Sequence, residues 1–220
     1  MFLAAPLAVA EPAGATGTEQ SKPADQIAVD AEKAMLGAKN FHVRGYIDQA
    51  TGPVSLNVTT SPNGGGGSVQ FPGATLQVVV AAQKVYVKAD EKSWLKLTGS
   101  KPTAELLANR WAEAPDTNPS FTNLVGLTNS KIFLAQLTSG PAKLSKLSVI
   151  TTWGGHEALI LQDNKGARLY VVDGPVPYML HLQEGHGASS LAITFSDFGT
   201  APMPSVPVKA MAFPAVKAAA

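Results

Sequence analysis

Hydrophobic positions along the chain follow one period, then another, then return to a mixture. From Pro23 to Lys39, Ile27, Ala31, Ala34, Met35 and Ala38 recur at helical spacing and form one apolar stripe. Ser21 is a candidate cap, Pro23 suits a first turn, and Gly37 and Asn40 mark the end. From Phe41 the period shortens to two. Phe41 to Gln49 reads as a strand, Gly52-Pro53 as a turn, and Val54, Leu56 and Val58 alternate with Ser55, Asn57 and Thr59. The run Pro62 to Gly67 (PNGGGG) reads as a long glycine turn. Further short strands are predicted at Val69 to Phe71, Thr75 to Val80, Lys84 to Lys88 and Ser93 to Leu97. Such spacing implies neighbouring hairpins and an antiparallel sheet.

The stretch from Lys101 to Ser139 reads as helical. Thr103 to Asn109 carries Leu106 and Leu107, and Asn118-Pro119-Ser120 opens a segment with Phe121, Leu124 and Val125 that closes near Gly126. Thr128 or Asn129 can cap a third segment with Phe133, Leu134 and Leu137 on one side. Isolated helices shorter than ~12 residues are marginal, so each needs an apolar surface to lie on. Strands return after Pro141: Leu147 to Trp153, Glu157 to Gln162, Arg168 to Asp173, Tyr178 to Gln183 and Leu191 to Ser196. Turns fall at Gly154-Gly155, Asp163 to Gly166, Asp173 to Pro175 and Glu184 to Ala188. Helix, strands, helices, strands gives an α+β class, with the helices on one side of a large antiparallel sheet. No repeat of 20–50 residues is visible.

Composition narrows the function. Hydrophobic residues make up 45% of the 220 and charged residues 15%, the latter below the ~25% common in soluble domains. The net charge is +1 and no Lys/Arg cluster occurs. A nucleic-acid partner, which needs a basic footprint for phosphate, is therefore not expected. The absence of Cys excludes disulfides, thiolate nucleophiles and Cys-based metal sites.

The termini read as separate from the domain. MFLAAPLAVA is apolar and ends in Ala8-Val9-Ala10, a small-x-small pattern like a signal-peptidase site, with no Lys or Arg before it. It reads as a truncated export signal with a start codon upstream. Residues 11–23 are a polar linker. The division is a signal-like segment and linker over 1–24, one domain over 25–207, and a tail over 208–220. The stretch from Pro202, with Pro204, Pro207 and Pro214, is expected to be extended or loose.

Catalytic signals are weak. His42, His156, His181 and His186 show no metal-ligand spacing, and Gly64 to Gly67 lacks the Lys-Ser/Thr of a phosphate loop. No G-x-S-x-G elbow occurs. Asp116, Asp163, Asp173 and Asp197 suit turns. No enzyme activity, cofactor or metal is expected. Trp94, Trp111 and Trp153 fit core or edge packing; the alternative is a place at a ligand mouth.

Several segments together resemble the LppX/LprG-type lipoproteins of actinobacteria, relatives in fold of the periplasmic lipoprotein carrier LolA. They are AKNFHVRG ending at Gly45, VVVAAQKVYVKAD (78–90) followed by Trp94, and ELLANRWAEAP (105–115). NPSFTNLVGLTNSKIFLAQL (118–137), ARLYVVDGPVPYMLHL (167–182) and LAITFSDFG (191–199) complete the set. Gly174 to Leu180 matches the family's G-x-P-Y-x-L turn in type, and Phe195 to Gly199 matches the sequence that closes its last strand. The resemblance implies a strongly curved, half-barrel antiparallel sheet with helices on its concave face and an apolar cavity between them. It further implies a non-catalytic, exported protein of the cell envelope that binds or carries a lipid or acylated molecule, with a membrane surface as a further partner. Family members carry a lipidated Cys after the signal; this chain has none, which departs from the pattern. Candidate cavity residues are Phe121, Leu124, Val125, Phe133, Leu134 and Leu137. The same residues would equally build an ordinary dry core, and the chain would then be a structural or interaction module of the envelope. A hydrolase using scattered polar residues is the third and weakest alternative.

Overall fold

The computed structural model describes residues 19–49, 52–119, 121–138, 143–185 and 190–214. The signal-like segment, most of the linker that follows it, the turn around His186 and the last six residues lie outside them. The first helix, α1 (Ala24–Gly37), buries Ala24, Ile27, Ala31 and Met35, which is the stripe the helical period marks. Pro23 occupies its N-cap with no side-chain cap bond, so the expected capping role of Ser21 is not realised. Proline supplies the φ needed there and has no N–H to satisfy.

Five strands follow as a meander: β1 (Phe41–Gln49), β2 (Gly52–Ser61), β3 (Gly64–Phe71), β4 (Ala74–Ala81) and β5 (Lys84–Ala89). Val54, Leu56 and Val58 face the core while Ser55 and Asn57 are exposed. The glycine run corrects the expectation of a long turn. Only Pro62 and Asn63 turn; Gly64 to Gly67 begin β3, all four paired with β2 and Gly65 to Gly67 paired with β4 as well. Glycine is a weak strand former by itself. Here the absence of side chains is what the packing requires, since a Cβ on Gly65 would lie 3.1 Å from the carbonyl oxygen of Thr128, and one on Gly66 would lie 3.0 Å from the Pro204 ring.

Ser93 to Leu97 is helical rather than extended, inside α2 (Glu91–Thr98). Asp90 caps it by accepting from the Ser93 N–H, and Gly99 ends it at φ 65°. Buried Trp94 fixes its inward face. Five alternating residues suit either period, and the cap and stop signals decide. After α3 (Lys101–Leu107), the middle region is interrupted by a strand, β6 (Trp111–Pro115), which pairs with β5. Its Ala-Glu-Ala composition favours a helix. The exposed edge of β5 and small inward positions at Ala112 and Ala114 override that preference. The helices α4 (Thr122–Thr128) and α5 (Ser130–Thr138) complete the middle, with Asn129 Oδ1 accepting from the N–H groups of Lys131 and Ile132 at the start of α5.

The second meander comprises β7 (Ser145–Trp153), β8 (His156–Gln162), β9 (Arg168–Val172), β10 (Met179–Glu184) and β11 (Leu191–Ser196). Antiparallel pairing of β11 with β1 joins the two meanders into one unclosed sheet. With the last strand, β12 (Met211–Ala212), the order is β12-β6-β5-β4-β3-β2-β1-β11-β10-β9-β8-β7. The proline-rich end is a strap across the outer face. The Thr59 hydroxyl donates to the Pro202 carbonyl, Pro204 lies over Gly66, and β12 pairs in parallel with β6. Phe213 then packs 4.8 Å from the Phe121 ring and 5.9 Å from Trp94.

The core fills the space between the inner sheet face and the helices. Phe41, Phe133 and Phe195 form an aromatic chain at its centre, with centroids 6.0 Å and 6.5 Å apart.

Candidate functional site

The six residues expected to line a cavity divide between two environments. Phe133 and Leu134 are 1% and 0% exposed, and Phe121 and Leu124 are buried in the same core. Val125 is half-buried against it. Leu137, one turn beyond Phe133 on α5, is the member of the set that lines an open space.

That space is a groove of about 730 Å³ between α1, the C-terminal turn of α5 and the inner face of β8 to β10. Its apolar floor comes from Ala28 and Val29 of α1, Leu137, Leu144, Leu161 of β8, Leu169 of β9, and Met179 and Leu182 of β10. Register explains the sheet contribution. Leu161 pairs with Leu169, and Leu169 pairs with Leu182, so three leucines of neighbouring strands stand side by side on one face. A bulge between Met179 and His181 shifts β10, so that Met179 and Leu182 both reach the inner face although three positions apart.

Polar groups ring the groove. Asp25 and Glu32 project from α1, Glu184 from the end of β10, and Asp163, Asn164 and Lys165 from the turn between β8 and β9. Asp163 closes its own turn, its Oδ1 accepting from the Lys165 and Ala167 N–H groups at 2.8 Å each. Arg168, at the start of β9, pairs with Gln162 and Gln183 and donates from Nε to Gln162 Oε1 at 3.0 Å, so its side chain lies on the face opposite the three leucines.

α1 is moored at both the sheet and the start of β7. The Glu19 N–H and the Gln20 side-chain amide donate to the two carboxylate oxygens of Asp173. Lys146 Nζ donates to the carbonyls of Gln20 and Lys22. Lys22 bridges Glu19 at 2.8 Å and Asp30 at 2.7 Å. These bonds raise the Lys22 pKa, the Asp30 bond contributing most, and lower that of Asp30. The helical wall of the groove is therefore fixed by polar contacts at its N-terminal end and by its apolar stripe along the rest.

The outer face of the same strands carries a second cluster. His181 stacks under Trp153 at 4.2 Å and meets Tyr170 edge-on at 5.6 Å, with its Nδ1 3.0 Å from the Thr194 hydroxyl. Burial lowers the His181 pKa, and the backbone hydrogen bond at Ile193 opposes the shift in part. Trp153 packs here, Trp94 in the core and Trp111 half-buried on β6; none of the three lines the groove. Among the described residues, His, Asp and Glu form no group of three that could hold a metal ion, and no helix is long and apolar enough to cross a membrane.

No protein-family model matches the chain, and no curated protein sequence is similar to it. Solved structures are similar in fold. LprF from Mycobacterium bovis superposes with a TM-score of 0.55 at 15% identity, over 83% of this chain and 96% of that one. The lipoprotein LppX of Mycobacterium tuberculosis gives a TM-score of 0.47 at 14% identity, over 84% of this chain and 98% of that one. The unclosed antiparallel sheet with helices on one face is thus the fold of LprF, as the sequence resemblance implies.

Proposed function

We propose that this protein is a non-catalytic carrier of the cell envelope that binds an acylated molecule in the groove between α1, α5 and β8 to β10. The observation that supports this most is the groove itself: an apolar floor drawn from two helices and three strands, open to solvent and ringed by charge. A monomer that leaves such a surface uncovered gives up burial that a ligand can supply. Each buried CH2 is worth about 0.8 kcal/mol, so a dozen contribute on the order of 10 kcal/mol. A membrane offers the same chain a similar energy. Exchange between the two is then near thermoneutral and needs no coupled chemistry. The fold shared with LprF and the exported character expected from the N-terminal sequence agree with a place in the envelope.

A second reading is a structural module without a ligand, and the filled core around Phe133 and Leu134 favours it. Two tryptophan substitutions separate the readings. Leu182 is half-buried on the groove floor. Leu182→Trp should occupy the groove, lower the binding of a fluorescent single-chain acyl probe at least about tenfold, and change the denaturant midpoint little. Leu134→Trp, in the filled core, should cost ~1–3 kcal/mol of stability and leave probe binding in the folded fraction unchanged. Wild-type protein that takes up no acyl probe would leave the structural module standing.

A further inference from the structure

We infer that the groove is built for a single-chain, zwitterionic amphiphile, with an anionic group held at the β8–β9 turn and a cationic group held at α1; this rests on the acyl-binding reading above. The first observation is size. At about 730 Å³, and with ~30 Å³ for a group the size of water or methylene, the space holds about two dozen such groups. One long acyl chain with part of a headgroup fills it. A second chain of equal length would have to lie in solvent, because the next apolar layer inward is occupied by Phe133, Leu134 and Ile193 at 1%, 0% and 0% exposure.

The second observation is the arrangement of charge on the rim. The charged groups of the helical wall are carboxylates alone: Glu32, and Asp25, whose Oδ1 accepts from the Leu144 N–H at 3.4 Å. Lys22, the nearby cation of that wall, is held by Glu19 and Asp30 and faces them. The opposite wall contributes the cation Lys165, while the carboxylate of the same turn, Asp163, is engaged with backbone N–H groups. The groove thus presents negative charge on one side and available positive charge on the other, with Glu184 adding a further negative group at the sheet end. A plain fatty acid meets more carboxylates than cations on this rim. A plain cationic surfactant leaves Lys165 without an anion. A headgroup carrying both charges satisfies both walls at once, and specificity follows from the mismatch as much as from the match.

The test titrates the whole protein by calorimetry at low salt with four probes: palmitoyl lysophosphatidylcholine, palmitate, hexadecyltrimethylammonium, each below its micelle concentration, and vesicles of dipalmitoyl phosphatidylcholine. The lysolipid is expected to bind one to one, about tenfold or more tighter than either singly charged probe, with no stoichiometric uptake from the two-chain vesicles. Glu32→Gln should weaken lysolipid and cation and spare palmitate; Lys165→Gln should weaken lysolipid and palmitate and spare the cation. Equal or tighter binding of palmitate or of the cation, one-to-one uptake of the two-chain lipid, or variants that change all probes alike would overturn this inference and leave the acyl-binding reading intact. Binding of none of the four would remove that reading, and this inference with it.

Discussion

Ala82 and Gln83 join β4 to β5 with φ of 50° and 59°. A two-residue turn with both φ positive suits Asn-Gly, and a side chain with Cβ in the left-handed region costs roughly 1–2 kcal/mol. Replacing Ala82-Gln83 by Asn-Gly should therefore raise the unfolding free energy by about 1–2 kcal/mol, read as a higher denaturant midpoint at unchanged slope. Removing the Asp90 cap points the other way: Asp90→Ala should cost about 1 kcal/mol, because the Ser93 N–H loses its acceptor. His181 ties stability to pH. Its folded pKa is lowered by burial beneath Trp153, so the unfolded chain binds a proton first as the pH falls. Stability should be full above the ordinary histidine pKa of ~6.5 and decline as the pH drops below it toward the folded value. His181→Gln should flatten that acid limb. A limb of equal slope in the variant would show that other groups set it.

At the scale of elements, the glycine strand and the strap belong together. β3 can lie between the α4–α5 junction on one face and Pro204 on the other because Gly65 and Gly66 carry no Cβ. Gly65→Val should cost at least ~1–3 kcal/mol, as overpacking against backbone that cannot move aside. The strap ends in a latch of two paired residues and one ring. Phe213 is half-buried against Trp94 and Phe121, and Phe213→Ala should cost about 2 kcal/mol. Hydrogen exchange should then rise in β6 and α2 while β8 to β10, at the far end of the sheet, stay protected. The other sheet edge is blunted differently. Pairing of β7 with β8 slips between Lys146 and Ile150, and exposed Val149 lies in the irregular stretch, which breaks the flat template that edge-to-edge association needs.

At the scale of the molecule, β1 pairing with β11 makes the two meanders one cooperative sheet. The groove lies in the second meander, against a helix from the beginning of the chain. Its geometry thus depends on contacts between residues more than a hundred positions apart, such as Gln20 with Asp173 and Lys22 with Lys146. Breaking the mooring by Asp173→Ala is expected to loosen α1 and weaken acyl-probe binding at groove residues it does not touch, while the inner strands keep their exchange protection. A probe affinity unchanged in that variant would show that the apolar stripe of α1 positions the wall unaided.

Most strands of the two meanders and the first helix were legible in the sequence because each follows from a local period; β6, β12 and the helix α2 were not, since partners elsewhere in the chain or cap residues decide them. Val54, Leu56 and Val58, or Ile27, Ala31 and Met35, state their burial by spacing alone. The short middle helices could be placed for a related reason, through caps such as Asn129 and apolar pairs such as Phe133 and Leu134. What the sequence could not state was which apolar residues would be left uncovered. Phe133, Leu134 and Leu137 share one helix face, yet the first two meet Phe195 and the core while the third meets open space. The difference lies in what stands opposite each turn of the helix, Phe195 beside Phe133 and the groove beside Leu137. It follows from β-register, from the bulge in β10, and from contacts from Glu19 to Asp173 that no window of sequence contains. The same holds for Gly64 to Gly67, whose local preference is a turn and whose place as a strand comes from neighbours on both sides. Period fixes which face is apolar; only the closing of the sheet upon the helices decides where that face ends in a core and where it ends in a groove.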